Sequence, residues 1–597
     1  MNILLTAINA KYIHSNLAVY SLRACAGEYR DAVELAEYTI NNQKDYILEE
    51  LYKRKPDVLC FSCYIWNIDY VTDIAREYKK LCPSVPIWVG GPEVSYEVEA
   101  FLRENPYIDG VMIGEGEDTF RELCGYYAHK RKLSDIAGIA FRKNSTGNST
   151  SNRTSVNNAG CKADEIVFTS PRPIKNMSEI PFCYDTLDDF SNRIIYYESS
   201  RGCPFSCSYC LSSVDKTLRF RDTEIVKREL KFFIDQKVPQ IKFVDRTFNC
   251  NHAHAMELWR FIKANDNGVT NFHFEISADL LNQEELELIS DMRPGLIQLE
   301  IGVQSTNEVT IKEIHRTMKL ERLKEVVRLI QSGNNIHEHL DLIAGLPYED
   351  YDSFGRSFDE IYELKPNQLQ LGFLKVLKGS YMFEHAAEYG IVYHDKPPYE
   401  VMSTKWLSFD DVIKIKRVED MLEVYYNSGQ FEITMKLMEC IFDSAFEFFQ
   451  ELGDFYEANG YFGMSHSRIR RCEILLEFLA LYLHCHDSDA MTSVGLSENT
   501  QIYSMIQESL IFDLYYRENC KSRPRWATDI GSFKHMTHAY CKNGKLSHVE
   551  PFHYIFPDKH TRKLDELPKY HKEPVWALFH YDMRDPLDHQ ALVEYIE

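Results

Sequence analysis

The sequence predicts an α/β protein in three parts: an N-terminal doubly wound, Rossmann-like sheet, a partial (β/α)6 TIM-type barrel and a mostly α-helical C-terminal domain. Two runs of short apolar strands alternating with amphipathic helices predict the first two parts. A change after residue 400 to long helix-period patterns rich in Tyr and Phe predicts the third. At 597 residues the chain is too long for one core, and 44% hydrophobic residues are ample for several. The expected boundaries are 1–140 for the sheet domain, 141–190 for a linker with a disordered polar insertion, 191–395 for the barrel and 400–597 for the helical domain.

In the first run, apolar stretches at Ile3–Ile8, Val33–Tyr38, Val58–Tyr64, Ile87–Val89 and Val111–Ile113 read as five parallel strands, with helices such as Tyr70–Leu81 between them. Ligands of doubly wound sheets bind at the carboxyl ends of the strands. There the chain places Ser62-Cys-Tyr-Ile-Trp-Asn67, Gly90-Gly-Pro-Glu93 and Gly114-Glu-Gly-Glu117. The glycines suit either close approach of a ligand or an ordinary strand-ending turn. Cys60 and Cys63 point to opposite faces of an apolar strand, which reads as core packing. The stretch between about 143 and 165 is nearly devoid of apolar residues and reads as a mobile surface insertion.

Six strands are expected in the second run: Ile194–Glu198, Gln240–Val244, Asn271–Ile276, Leu296–Val303, His337–Ile343 and Gln368–Val376. Helical segments such as Thr223–Asp235, Glu284–Ser290 and Leu320–Ile330 lie between them. Reactive residues of such barrels gather at the strands' C-terminal ends. The first strand leads into Arg201-Gly-Cys-Pro-Phe-Ser-Cys-Ser-Tyr-Cys210, and later ones end in Asp245-Arg-Thr-Phe, Ser277-Ala-Asp279, Glu300-Ile-Gly-Val-Gln-Ser305 and Asp341-Leu-Ile-Ala-Gly-Leu-Pro347. The sixth ends near Lys375 and Lys378. Cys203, Cys207 and Cys210 put three thiols in one short loop. Iron–sulfur clusters are ordinarily closed by four thiolates, so a three-cysteine site leaves one iron open to an exchangeable ligand. The alternative is zinc or a set of packed thiols. Zinc needs a fourth ligand, and the nearest histidines, His252 and His254, lie across an intervening helix-and-strand pattern.

The CxxxCxxC spacing, with Tyr209 before the last cysteine, resembles the cluster loop of the radical SAM superfamily. The resemblance implies a [4Fe-4S] cluster on Cys203, Cys207 and Cys210 whose open iron chelates S-adenosylmethionine and whose electron cleaves it to a 5′-deoxyadenosyl radical. It further implies that Tyr209 borders the adenine, that Glu300, Gln304 and the Gly345 turn contact ribose and adenine, and that Asp245, with Ser277 on the same rim, lies near the methionine end. Asp245-Arg-Thr-Phe departs from the common Gly-Gly-Glu form. The N-terminal motifs Lys11-Tyr-Ile-His-Ser-Asn-Leu-Ala18, the Ser62 strand end, Gly90-Gly-Pro-Glu93 and Gly114-Glu-Gly-Glu-Asp-Thr-Phe120 resemble the cobalamin-binding domain of the B12-dependent radical SAM subfamily. Cobalamin contacts are then expected from His14, Ser15, Asn16, Ser62, Tyr64, Trp66, Asn67, Gly90, Gly91, Glu93, Gly114, Glu115 and Gly116. The Asp-x-His-x-x-Gly motif of many corrinoid proteins is absent, so no cobalt ligand is assigned, and a helix-cap or loop role is the alternative for His14.

After residue 400, helices are expected over Asp410–Tyr425, Glu432–Phe449 and Ser467–His484, then an irregular tail. This part resembles an uncharacterised helical region of some cobalamin-dependent radical SAM proteins. His484 with His486, Arg523 with Arg525 and Trp526, and His535, His538 and Cys541 stand out, the last group having metal-binding residue types at a spacing that matches no closed set. The formal net charge of -23 argues against a large nucleic-acid footprint. The sixteen cysteines are scattered, and no long apolar run or basic leader occurs, so a reduced cytoplasmic setting without a membrane partner is expected. The resemblance implies a small-molecule or peptide substrate, an electron donor such as flavodoxin or ferredoxin, and methyl transfer to an unactivated carbon, with radical cyclisation or rearrangement as the variant within the class. A non-catalytic cobalamin- or redox-responsive binding protein is the rival reading. An open-iron site with a furnished rim opposes it.

Overall fold

The computed structural model describes the chain apart from residues 144–164, 486–497, 530, 532–533, 542–545, 558–560, 562, 565 and 597. His486 and nearly all of the polar insertion lie outside the described residues. The chain divides into two compact units. One comprises Met1–Met292, Ile314–Met318 and Leu374–Met402, and the other Arg293–Glu313, Lys319–Phe373 and Ser403–Glu597.

The first unit opens with β1 (Ile3–Asn9), α1 (Leu17–Cys25), β2 (Val33–Thr39), α2 (Lys44–Arg54), β3 (Val58–Ser62), α3 (Ile68–Leu81), β4 (Ile87–Gly90), α4 (Val98–Glu104), β5 (Gly110–Met112), α5 (Glu117–Tyr127), β6 (Ile139–Arg142) and β7 (Ile166–Phe168). The sheet order is β2-β1-β3-β4-β5-β6-β7. The first five strands are parallel, as the sequence predicts, and β6 and β7 add an antiparallel edge that it did not. Every residue of β1 and β3 is buried, the mark of strands covered by helices on both faces. Leu4, Ile8, Phe61, Val89 and Val111 meet Val71 and Ile74 of α3 in one core. Cys60 and Cys63 are both buried, Cys63 in that core.

The second run begins in the same unit with β8 (Ile195–Tyr197), a short antiparallel pair β9 (Ser200–Arg201) and β10 (Arg219–Phe220), α6 (Thr223–Asp235), β11 (Gln240–Phe243), α7 (His252–Ala264), β12 (Asn271–Ile276) and α8 (Gln283–Ser290). Strand β11 is parallel to β8 on one side and β12 on the other. Asp222 caps α6, and Asn282 with Glu285 forms a capping box on α8, which is why these helices start where the periodicity says. The second unit holds β13 (Ile297–Gln304), α9 (Glu308–Glu313), α10 (Leu320–Ser332), β14 (His337–Ala344), α11 (Tyr351–Tyr362) and β15 (Gln368–Phe373), with β13, β14 and β15 parallel. All six expected strands are present, three in each unit.

The chain continues with α12 (Tyr381–His385) in the first unit and then α13 (Phe409–Leu422), α14 (Glu432–Ile441), α15 (Ala445–Ala458), α16 (Arg468–Cys485) and α17 (Glu498–Arg517) in the second. Two expectations are corrected here. The helix expected over Glu432–Phe449 is two, because Asp359 of α11 accepts hydrogen bonds from Ser444 Oγ at 2.7 Å and the Phe446 amide at 2.8 Å and so caps a new start. The irregular tail contains an antiparallel sheet of Ser547–Tyr554, Tyr570–Arg584 and Ala591–Ile596. Phe552 and Phe579 of that sheet pack on Phe512 of α17, with ring centroids 5.6 and 5.1 Å away. No described helix is long and apolar enough to cross a membrane.

Candidate active site

The three-cysteine loop leaves β8 through β9. Cys203 and Cys207 are buried and Cys210 is half-buried. The loop is fixed by backbone bonds, the Ser208 amide to Ile314 O and the Met382 amide to Ser208 O, both 2.9 Å. Arg316 lies 3.8 Å from Cys207 Sγ and 3.3 Å from Tyr209 Oη. Burial pushes the Cys207 thiol above its usual range, while the Arg316 charge pulls the other way. Among the described residues no three His, Cys, Asp or Glu side chains gather around a single metal ion, the His535, His538 and Cys541 group included.

Beneath the loop lies a buried polar network. Asp245 accepts from the Ser199 amide at 2.9 Å and from the Ser199 and Ser200 hydroxyls at 2.6 Å each. His254 Nε2 meets Ser199 Oγ at 3.0 Å. Burial raises the Asp245 carboxyl to about 6 against those bonds, and lowers His254 to about 4. Both Asp245 oxygens are therefore engaged in bracing the start of the cysteine loop. Ser277 is likewise bridged, its amide to Asn249 Oδ1 at 3.0 Å and its carbonyl to Asn249 Nδ2 at 2.8 Å. Arg201, two residues before Cys203, pairs with Glu198 at 2.8 Å, with Glu117, and with Glu115 at 3.5 Å.

Those last two carboxylates belong to the wall of a cavity of about 840 Å3. In the strand order 2-1-3-4-5 the direction of winding reverses between β1 and β3, and the cavity opens at that switch point, where ligands of such sheets bind. Its wall includes His14, Ser15, Asn16, Ser62, Tyr64, Trp66, Gly90, Gly91, Gly114, Glu115 and Gly116. Tyr64 and Trp66 stack with centroids 4.4 Å apart. Asn16 takes the cap of α1, accepting from the Val19 amide, whereas His14 Nδ1 lies 2.7 Å from Tyr196 Oη, so the helix-cap alternative for His14 does not hold. Gly91 answers to chain packing: with φ +121, a Cβ there would sit 2.4 Å from Cys63 O. Gly114, with φ +74, meets nothing within 4 Å, so a side chain there would project into open space.

Two residues expected in this wall face elsewhere. Asn67 is buried, with Nδ2 donating to Ile8 O and Ser62 O at 3.0 Å each, and so ties β3 to β1. Glu93 accepts from the Tyr399 hydroxyl. On the opposite side of the cavity stand Tyr196 and Glu198 from the end of β8, Lys242, Val244 and Arg246 from β11 and its extension, and Glu275 from β12. The sequence reading named Arg246 only within its motif and missed Tyr196, Lys242, Arg316 and the Arg201 ion pairs.

In the second unit, Glu300 is half-buried on β13. Gln304 ends that strand at a register shift, with φ +75 and a buried Oε1 that has no hydrogen-bond partner among the described residues. Gly345, φ +87, follows β14 directly.

Family models match three segments of the chain: a B12 binding domain over residues 3–124, the radical SAM superfamily over 197–361, and a protein of unknown function (DUF4080) over 387–590. The chain joins a B12-binding domain to a radical SAM domain. The chain is 27% identical over 363 residues to the cobalamin-dependent radical SAM methyltransferase TokK of Streptomyces tokunonensis, covering 57% of this chain and 49% of that one. It is 22% identical over 357 residues to the anaerobic magnesium-protoporphyrin IX monomethyl ester cyclase of Rubrivivax gelatinosus, covering 57% and 60%. It thus spans about half to three fifths of the length of these relatives. The solved structure of the cobalamin-dependent S-adenosylmethionine radical enzyme OxsB with aqua-cobalamin bound shares its fold, with a TM-score of 0.57 at 15% identity over 86% of this chain and 81% of that one.

The donors of the chain fit the groups its domains imply. Three thiols on one loop supply three ligands and leave a fourth position open. The cavity is of the size that takes a large ligand, is lined mainly by apolar surface, and has Gly114 open toward it. The unpartnered Gln304 Oε1 is an acceptor of the kind a nucleoside hydroxyl or amine would satisfy.

Proposed function

We propose that the chain is an enzyme that reductively cleaves S-adenosylmethionine at a [4Fe-4S] cluster held by Cys203, Cys207 and Cys210, and uses cobalamin for methyl transfer to an unactivated carbon of a small-molecule or peptide substrate. The observation that carries this reading is the Arg201 hub, which ties the cysteine loop to Glu115 and Glu117 on the cavity wall. Bound there, the cluster with S-adenosylmethionine would supply a hydrogen-abstracting radical and the corrin a transferable methyl group. The chain's own part is positional. Asp245 and Ser199 hold the loop, Arg316 places a positive charge beside Cys207, and Tyr64, Trp66, Gly90 and Gly114 offer a flat, open wall for the corrin. Tyr196 and Val244 help keep the space between dry. Glu300, Gln304 and Gly345 are assigned to the nucleoside of S-adenosylmethionine, and a flavodoxin or ferredoxin to electron supply.

The test is anaerobic reconstitution with iron, sulfide and hydroxocobalamin, followed by reductant and S-adenosylmethionine. The wild-type chain is expected to release 5′-deoxyadenosine. Replacing Cys203, Cys207 or Cys210 singly by Ala should reduce that release by more than about a hundredfold while far-ultraviolet circular dichroism stays unchanged. An intact cluster with no 5′-deoxyadenosine would instead mark a binding protein.

A further inference from the structure

Strand β11 and its extension divide their side chains by alternation. Lys242, Val244 and Arg246 face the cavity. Asp245 turns under the loop to Ser199 and Ser200, and Thr247 Oγ1 lies 3.8 Å from Cys203 Sγ. Arg246 is therefore an exposed residue between two buried ones, and its flanking residues are clamped to the cysteine loop. The Arg246 side chain thus faces the cavity from a backbone held by its two neighbours.

What sets Arg246 apart is its lack of a partner. The other arginines on this wall are saturated: Arg201 by three carboxylates, and Arg221 by Glu229 at 2.7 Å with the Met177 and Ile180 carbonyls at 3.1 and 2.7 Å. Arg246 makes no hydrogen bond or ion pair among the described residues. Glu198, a carboxylate of the same cavity wall, is taken by Arg201. A guanidinium presents five donors in a fixed fork that matches two oxygens of a carboxylate or phosphate, and Arg246 presents that fork on the cavity wall with no partner among the described residues. Lys242, four residues back on the same face, stands about 13 Å away at the rise of a strand, too far to share one small anion. The acceptor that completes Arg246 is thus a single oxyanion entering the cavity.

We propose that Arg246 receives a carboxylate or phosphate group of the substrate, so that the substrate class of this enzyme is anionic. This rests on the function proposed above. The same chemistry is carried by the carboxylate of S-adenosylmethionine, and the experiment separates the two sources. Cluster- and cobalamin-loaded wild type, Arg246→Gln and Arg246→Lys are compared by equilibrium dialysis against S-adenosylmethionine, and by titration with inorganic phosphate and with acetate in the presence of saturating S-adenosylmethionine, read by the thermal midpoint and the visible spectrum of the bound corrin.

Binding of phosphate or acetate by the wild type, weakened at least about tenfold in Arg246→Gln and partly retained in Arg246→Lys, with S-adenosylmethionine affinity unchanged within about twofold, supports the proposal. A tenfold or greater loss of S-adenosylmethionine affinity in Arg246→Gln assigns the guanidinium to that ligand and overturns it. So does a wild type indifferent to both anions, or anion binding that survives in Arg246→Gln. Failure of the enzyme reading shows separately, as absence of 5′-deoxyadenosine from a wild type whose cluster is intact.

Discussion

Arg316 and Cys207 pose the sharpest question at the scale of single residues. A guanidinium 3.8 Å from Cys207, a thiol proposed above to hold the cluster, would stabilise the more negative, reduced state of whatever that thiolate holds, and would do so strongly because Cys207 is buried. Arg316→Gln is expected to lower the cluster's reduction potential, and Arg316→Lys to restore most of it, measured by a potentiometric titration followed by electron paramagnetic resonance. An unchanged potential in Arg316→Gln would leave Arg316 as a packing residue against Tyr209. Residue-level legibility was uneven for a physical reason. The three-cysteine loop could be picked out because its spacing is confined to one short stretch of chain. Asn67 and Glu93 were not, because their side chains are turned by partners distant in sequence, Ile8 and Tyr399. Arg201 and Arg246 both sit beside motif residues, and only their ion pairs, or the lack of them, tell the two apart.

At the scale of elements, alternation of strand and helix fixed the six barrel strands to within a few residues, since a buried parallel strand has little freedom in composition. The break between α14 and α15 was hidden because an apolar run continues across it, and the cap that makes it belongs to α11. The C-terminal strands were hidden because each pairs with its neighbour through mixed polar and aromatic residues rather than a clean alternation. Glu349 shows what such element-to-element ties cost. It is buried, accepts from Ser305 after β13 at 2.6 Å and Ser357 on α11 at 3.0 Å, and leaves Oε2 without a partner among the described residues. Burial raises its carboxyl from 4.5 to about 7, so the folded state holds a proton that the unfolded chain has already released. The associated stability is complete below about pH 4.5 and is lost as pH rises through 7. Glu349→Gln keeps the acceptor and removes the charge. It should match the wild type in acid and exceed it above pH 7 by up to about 3 kcal/mol, from a shift of roughly 2.5 units. Chemical denaturation across pH 4.5–8 checks this, and parallel curves for the two proteins would refute it.

Across the whole molecule, a formal charge of -23 makes anion recognition a local matter, since the overall field repels an anionic ligand and slows its approach at low salt. The two compact units also divide the expected ligands. Every residue lining the cavity lies in the first, whereas Glu300, Gln304 and Gly345 lie in the second. Cobalamin bound in the cavity stabilises only openings that expose it, by RT ln(1 + [L]/Kd), about 2.7 kcal/mol or a hundredfold in exchange rate at one hundred times Kd. Hydrogen exchange with and without hydroxocobalamin should therefore show protection in peptides spanning 9–18, 62–66, 90–96 and 112–117, and also in 195–201 and 240–246. Peptides from α14, α16 and α17 should not change. The second set of protected peptides is decisive, because a corrin seated on the N-terminal sheet alone would protect the first four and leave β8 and β11 as they were. That result would separate the corrin from Arg246 and Lys242.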